Sequence, residues 1–411
     1  MLSGIAKLGS ASFLLIIINI FSYPLLTTFY SPEEYGKYSL FLYLSSLFTV
    51  VILLKIDLII PTLKGDENLT KGVNCGLISI LLISIVVFFT TSILAGYYNY
   101  DFYLVVALLL SNVFFGLYTL LNSVYIQRGM YKFSGIMTLV QGGVLVLLQL
   151  MLSFSQLGWH GLLLGYILSF FLTFVFFAIY SFKLSSLIDV LKSFNSISWI
   201  EYKKFLICHK GQWAGNVTQS FLNVLSLNVL AYGVQTIGGI SAVGAFSLCQ
   251  KILVIPVRLI GNSTKQVMLK ELAVVDHDTQ ISVVKNVTKI LIILALSIFA
   301  SIYFILPIVI TYLFPISWHG VIPYVLPLSI WLGFTIVYTP TISYLNVIKR
   351  VSYHTLYEAV NLFLRIVVFI VLTNSLFSVT AVEFVTITSI ASSLAIVSFL
   401  VYSLRKYKGY S

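Results

Sequence analysis

Lys251, Arg258 and Lys265 stand seven residues apart in AVGAFSLCQKILVIPVRLIGNSTKQV, residues 242–267, a stretch otherwise apolar enough to cross a bilayer. Two helical turns come close to this interval, so on one helix the three side chains lie along a single stripe. Charges in a membrane segment are costly and turn toward a protein interior or a watery cavity. A stripe of three cations therefore suits a path for something anionic. Depth separates the three, because at about 1.5 Å per residue Lys251, Arg258 and Lys265 lie ~14, ~24 and ~35 Å from the outer end of the segment. Lys265 can snorkel to the inner surface instead of facing a cavity. Lys251 is too deep for that, and for it and Arg258 the alternative to a cavity is a buried salt bridge. Pro256 removes a backbone donor between them and is expected to kink the helix.

The chain that must position this stripe has 411 residues, 59% hydrophobic and 9% charged, with a mean hydropathy of +1.02. That composition excludes a soluble globular domain and indicates an all-α polytopic membrane protein. Cys75, Cys208 and Cys249 are far apart and form neither a disulfide framework nor a metal site. The five histidines are scattered, no Ser/His/Asp arrangement emerges, and no phosphate-cradling glycine loop is present. No metal, no cofactor and no ATP hydrolysis are expected.

At roughly 20 apolar residues per crossing, twelve spans are expected: 8–29, 37–61, 75–96, 103–125, 135–154, 161–180, 213–235, 242–267, 287–306, 323–346, 355–373 and 381–402. The apolar run after Lys7 lacks a small-residue cleavage site and reads as the first span, not a signal peptide. With the N-terminus inside, 19 of the 24 basic residues fall in cytoplasmic segments, which argues for an N-in, C-in orientation. The net charge of +11 then needs no nucleic acid. Residues 181–212, with SFKLSSLIDVLKSF and ISWIEYKKFL, read as a cytoplasmic connector of amphipathic helices at the membrane surface. The expected organisation is a six-helix bundle over 1–180, the connector over 181–212 and a second six-helix bundle over 213–411. The halves repeat: YGKYSLF from Tyr35 matches VGAFSLC from Val243 at an offset of 208, with Gly36 on Gly244, Tyr38 on Phe246, Ser39 on Ser247 and Leu40 on Leu248. An even number of spans per half makes this a parallel repeat, and implies two pseudo-symmetric bundles around a central cavity.

The turn Ser31-Pro32-Glu33-Glu34-Tyr35-Gly36 resembles the start of the second helix in bacterial polysaccharide flippases. These are the Wzx-type branch of the multidrug/oligosaccharidyl-lipid/polysaccharide exporter superfamily. Gly244-Ala245-Phe246-Ser247-Leu248, Pro256, and Ile260-Gly261-Asn262-Ser263 with Gln266-Val267 are similar to its eighth-helix pattern. The resemblance implies a multi-pass protein of the bacterial inner membrane that moves an undecaprenyl-diphosphate-linked repeat unit of O-antigen or capsule from the cytoplasmic to the outer leaflet. Membrane lipid as surroundings and polysaccharide polymerase and chain-length proteins as partners are expected with it, and the expected mechanism is alternating access, with return of the empty protein driven by H+, Na+ or the membrane potential.

A lipid diphosphate needs cations and its glycan needs polar groups. Lys251, Arg258, Lys265 and Arg365 are the candidate diphosphate ligands. Asn216, Gln219 and Asn223, followed by Ser226, share one helical face, and Gln141 and Gln149 stand eight apart on another. These amides suit sugar hydroxyls and would equally bind neighbouring helices. Asp57 and Glu358 are the candidate coupling groups. Glu358 lies seven residues before Arg365 on one face, and the two read equally as a structural network. Lys55, two residues from Asp57, is close enough to the inner surface to snorkel.

An enzyme of the same pathway, a polymerase or glycosyltransferase, would need a sizeable outside loop with catalytic acids. The outside segment 307–323 has none, so the chain is read as a transporter and not an enzyme. A cation-coupled small-molecule exporter of the same superfamily is the other alternative, and would need deep acids where this chain carries deep cations. An Asp57→Asn variant is expected to lose the pH dependence of transfer between leaflets. Transfer at the wild-type rate at every pH would remove Asp57 as a coupling group.

Overall fold

The computed structural model describes residues 2–98, 101–182, 199–272, 275–348, 350, 352–374 and 378–406, and among them every regular element is a helix. In chain order these are α1 (Leu2–Phe29), α2 (Pro32–Val51), α3 (Asp66–Tyr98), α4 (Phe102–Gln127), α5 (Tyr131–Ser153), α6 (Trp159–Phe182), α7 (Trp199–Cys208), α8 (Lys210–Leu272), α9 (His277–Leu313), α10 (Val325–Val347), α11 (Ser352–Thr373) and α12 (Ala381–Lys406). Short 3-10 turns follow α2 at Ile56–Leu58 and Ile60–Thr62, and a longer one, Ile316–Tyr324, leads into α10. Nine helices among the described residues are long and apolar enough to cross a membrane, or ten if α2 and the turns after it count as one bent span. The protein is a multi-pass membrane protein. Helices are the element that satisfies its backbone hydrogen bonds within each segment where no water is at hand.

The chain forms two compact units, Met1–Tyr30 with Phe41–Phe221, and Ser31–Leu40 with Leu222–Ser411. In the first unit α5 packs on α1 and α6, and α3 on α4. Small residues permit the close approaches, since a Cβ on Gly142 would stand 2.0 Å from Leu15 and one on Gly165 2.8 Å from the Gln149 side chain. The core runs through Ile52, Ile56, Ile60, Leu69, Tyr125 and Met137. Helix α7 docks on this core through Tyr202, whose hydroxyl lies 3.0 Å from that of Ser79, while Ile200 and Ile207 remain exposed beside Lys203 and Lys204. It falls within the expected connector 181–212, whose described ends belong to α6 up to Phe182 and to α8 from Lys210. Residues 183–198, including Lys183 and Lys192, lie outside the described residues. In the second unit α9 packs on α10, and α12 on α10 and α11.

Two backbone breaks shape the spans. The expected span 37–61 is not one straight helix, because α2 ends at Val51 and Leu54 and Lys55 take φ of 48° and 55°. The chain then bends by 60° into its short turns. Ile52, Leu53, Ile56, Ile59 and Ile60 are all buried across this bend. Left-handed backbone at a non-glycine residue costs about 1–2 kcal/mol, which the burial of this apolar run offsets. The second break is at Gly239 in α8, with φ 79° and ψ −180°, a conformation open essentially to glycine alone. It separates the expected spans 213–235 and 242–267. Pro256, by contrast, sits inside helical backbone.

Lys55→Ile places a β-branched residue in the left-handed region and is expected to destabilise the fold by about 1–3 kcal/mol, whereas Lys55→Gly should be tolerated. Thermal unfolding of the purified protein in detergent reads the difference, and equal midpoints for the two variants would contradict it.

Candidate functional site

The site is built in the second unit, where the first turns of α2 cross α8. Ser31 starts α2 with a capping box: its amide donates to Glu34 Oε2 at 2.8 Å and its hydroxyl accepts from the Glu34 amide at 3.2 Å. Pro32 at the first helical position loses no bond by lacking an N–H. The Ser-Pro-Glu-Glu motif is thus a helix start, and it sets where Tyr35 and Gly36 fall. A Cβ on Gly36 would lie 2.1 Å from the Ile240 carbonyl oxygen, and one on Gly244 would lie 1.9 Å from the Pro32 carbonyl oxygen. The two helices therefore touch backbone to backbone. The contact is reciprocal at the repeat offset of 208: position 36 meets 240, and position 244 meets 32.

Two turns beyond Gly244 comes Lys251. Its Nζ donates to the Tyr35 hydroxyl at 2.8 Å and lies 4.6 Å from the centre of the Tyr35 ring and 5.2 Å from that of Tyr38. Trp318, fully buried, packs edge-on against Tyr35 at 5.5 Å. The 3-10 turn and α10 run alongside the second half of α8, with Gly320 on Ala245 and Gly261 on Thr339. Lys251 is half-buried, while Arg258 and Lys265 are exposed. Among the described residues no carboxylate stands within 4.0 Å of any of the three. The stripe is one helical face in which, among the described residues, only Lys251 sits in an aromatic setting.

Arg365 is elsewhere in the unit and is 1% exposed. Its guanidinium lies 4.5 Å from the Trp331 ring, and its Nε donates to the Ser392 hydroxyl at 3.3 Å. Ser392 in turn donates to Asn361 Oδ1 at 2.7 Å. Glu358, one helical turn before Asn361, is also buried. Its Oε2 accepts from Asn223 Nδ2 at 3.1 Å, and its Oε1 lies 3.5 Å from His354 Nε2. His354 stacks on Tyr357, and the Tyr338 hydroxyl nearby is buried without a hydrogen-bond partner among the described residues, as are those of Ser226, Ser329 and Thr341. The second unit thus has a polar interior.

Within the second unit the structure brings Asn223 and Glu358 together. Asn216 donates to its own helix at the Gln212 carbonyl, 2.8 Å away, and Gln219 is half-buried on the same stretch of α8. In the first unit Gln141 donates to Ser169 at 3.2 Å, and buried Gln149 donates to the Leu162 carbonyl at 3.1 Å and accepts from Tyr30 at its own carbonyl. Asp57 is half-buried in the turn Ile56–Leu58, beyond the left-handed pair. Sequence reasoning missed Tyr35, Tyr38 and Trp318 as the surroundings of Lys251, although the first two lie in the repeated motif. It also passed over His354, whose spacing of four from Glu358 was the available signal.

A family model described as "Polysaccharide biosynthesis protein" matches residues 25–323. No curated protein matches the sequence. Among solved structures, an inward-facing multidrug-resistance MATE family transporter of the MOP superfamily is 14% identical, with 98% of this chain and 96% of that one covered and a TM-score of 0.76. The lipid II flippase MurJ in an inward closed conformation is 16% identical, with 97% and 89% covered and a TM-score of 0.68. A MOP superfamily transporter from Pyrococcus furiosus, whose binding pocket is described as reversed in polarity, is 14% identical, with 98% and 95% covered and a TM-score of 0.64. These neighbours share the fold, and they are transporters and a flippase, not enzymes.

Filling either crossing glycine should separate the helices. Gly244→Val is expected to lower stability by about 1–3 kcal/mol or more, read as a reduced unfolding midpoint and a reduced protein level in membranes. An unchanged midpoint would show that the helices can part without cost.

Proposed function

The chain belongs to the polysaccharide biosynthesis protein family, and from that membership we propose that it flips an undecaprenyl-diphosphate-linked oligosaccharide, an O-antigen or capsule repeat unit, across the bacterial inner membrane. One observation carries the reading. Lys251 holds an ammonium group on a membrane-spanning helix against tyrosines, with no carboxylate within ion-pair distance among the described residues. An ammonium presents three donors, and a phosphate can take those that Tyr35 does not. Arg258 and Lys265, exposed farther along the same helix, would receive the diphosphate nearer the cytoplasmic end. Arg365, already held by Trp331 and Ser392, would contribute its positive potential from within the unit. The amides of Asn216, Gln219 and Gln141 would meet the glycan, while Asn223 and Gln149 would hold the helices that frame it.

Coupling would run through Glu358, with Asp57 as the second candidate. A carboxylate bonded by Asn223 and facing His354 can exchange H+ or Na+ against two defined neighbours. The cycle proposed is alternating access, in which each state is favoured by the ligand it binds better. The product would be polymerised on the outer face by a separate polymerase and its chain-length partner. A cation-coupled small-molecule exporter is the second reading, favoured by the buried Glu358 and by the MATE neighbour. Lys251, Arg258 and Lys265, with no carboxylate at ion-pair distance among the described residues, weigh against it, as does the neighbour from Pyrococcus furiosus, where reversed pocket polarity is described as suggesting a different function.

A Lys251→Ala, Arg258→Ala double variant loses charge-assisted contacts worth about 10- to 100-fold in affinity. It is expected to cut surface polysaccharide and to accumulate the lipid-linked precursor at normal protein level. Normal polysaccharide in that variant would sink the cationic path.

A further inference from the structure

Lysine is a poor ligand until something fixes it: its flexible four-carbon stem has many rotamers to lose and its ammonium is a point charge without preferred direction. Around Lys251 that freedom is removed by groups from outside its own helix. The Tyr35 hydroxyl takes one N–H at 2.8 Å, and the Tyr38 ring stands 5.2 Å from the ammonium. Tyr35 is itself 3% exposed and has Trp318 edge-on at 5.5 Å, so its hydroxyl has little room to move. Behind the side chains stands the Gly36 and Gly244 crossing, where the backbones that carry Tyr35 and Lys251 are in direct contact.

We propose that Tyr35, backed by Trp318 and Tyr38, is a positioning residue for substrate binding: its hydroxyl fixes the Lys251 ammonium in the orientation that meets a lipid-linked diphosphate. The proposal rests on the phosphate-binding reading of Lys251 given above and adds to it a residue with no charge of its own. Ordering the lysine before the ligand arrives spares that cost at binding, which lowers the half-saturating concentration without altering the rate of the loaded protein. Tyr35→Phe separates this role from a structural one, because it keeps the ring that Trp318 packs against and removes only the hydroxyl.

The full-length protein is reconstituted in vesicles of phosphatidylethanolamine and phosphatidylglycerol with a fluorescent polyprenyl-diphosphate-linked N-acetylglucosamine as the probe. Transfer between leaflets is measured against probe concentration for wild type, Tyr35→Phe, Lys251→Ala and the double variant. Tyr35→Phe is expected to raise the half-saturating concentration about fivefold and to leave the maximal rate unchanged, and in the Lys251→Ala background it should add nothing. If Lys251→Ala is impaired but Tyr35→Phe is not, or if the two losses add, the positioning role is overturned while the phosphate reading stands. A fall in maximal rate alone in Tyr35→Phe overturns it too. If Lys251→Ala transfers the probe like wild type, the phosphate reading fails and takes the positioning role with it.

Discussion

Two helix backbones in direct contact are the constraint on which the rest of the second unit depends. Gly36 and Gly244 leave no room for a Cβ, and everything around the candidate site follows from keeping that contact in register. The capping box at Ser31 begins α2 at the right residue, and Gly239 ends the first half of α8 just before the crossing. Close packing of small residues is the means of holding helices together where lipid supplies no hydrophobic drive between them. Once the crossing is set, Lys251 arrives two turns later beside Tyr35.

The polar groups of the unit differ in what they are already bound to. Arg365 is sealed against Trp331, Ser392 and the Asn361 chain, and Glu358 against Asn223 and His354. Buried charges are tolerated only with such partners. Lys251 has a hydrogen bond and aromatic surface but no counter-charge at ion-pair distance among the described residues.

Much of this was legible in the amino-acid order. Hydropathy marked the chain as an all-helical multi-pass membrane protein, the seven-residue interval marked the stripe, and the paired YGKYSLF and VGAFSLC segments marked the two residues that prove to be the crossing. Periodicity could not show that Arg258 and Lys265 would be exposed and Lys251 enclosed, because that depends on Tyr35, more than two hundred positions away. The bend at Leu54 and Lys55 was hidden because no glycine announces it and the buried run around it keeps the spacing of a single helical face. Gln149 read as a cavity amide, but its donor is taken by a neighbouring helix.

The reciprocity of the glycine contact has a consequence beyond packing. Position 36 meeting 240 while 244 meets 32 is the relation of a two-fold interface between identical subunits, here folded into a single polypeptide. In a true dimer any residue placed near such an axis must appear twice, so a lysine beside the crossing would bring a second, repelling lysine with it. A covalently joined pair escapes that rule. Lys251 has Tyr43 at its related position, and the interface carries its charge once.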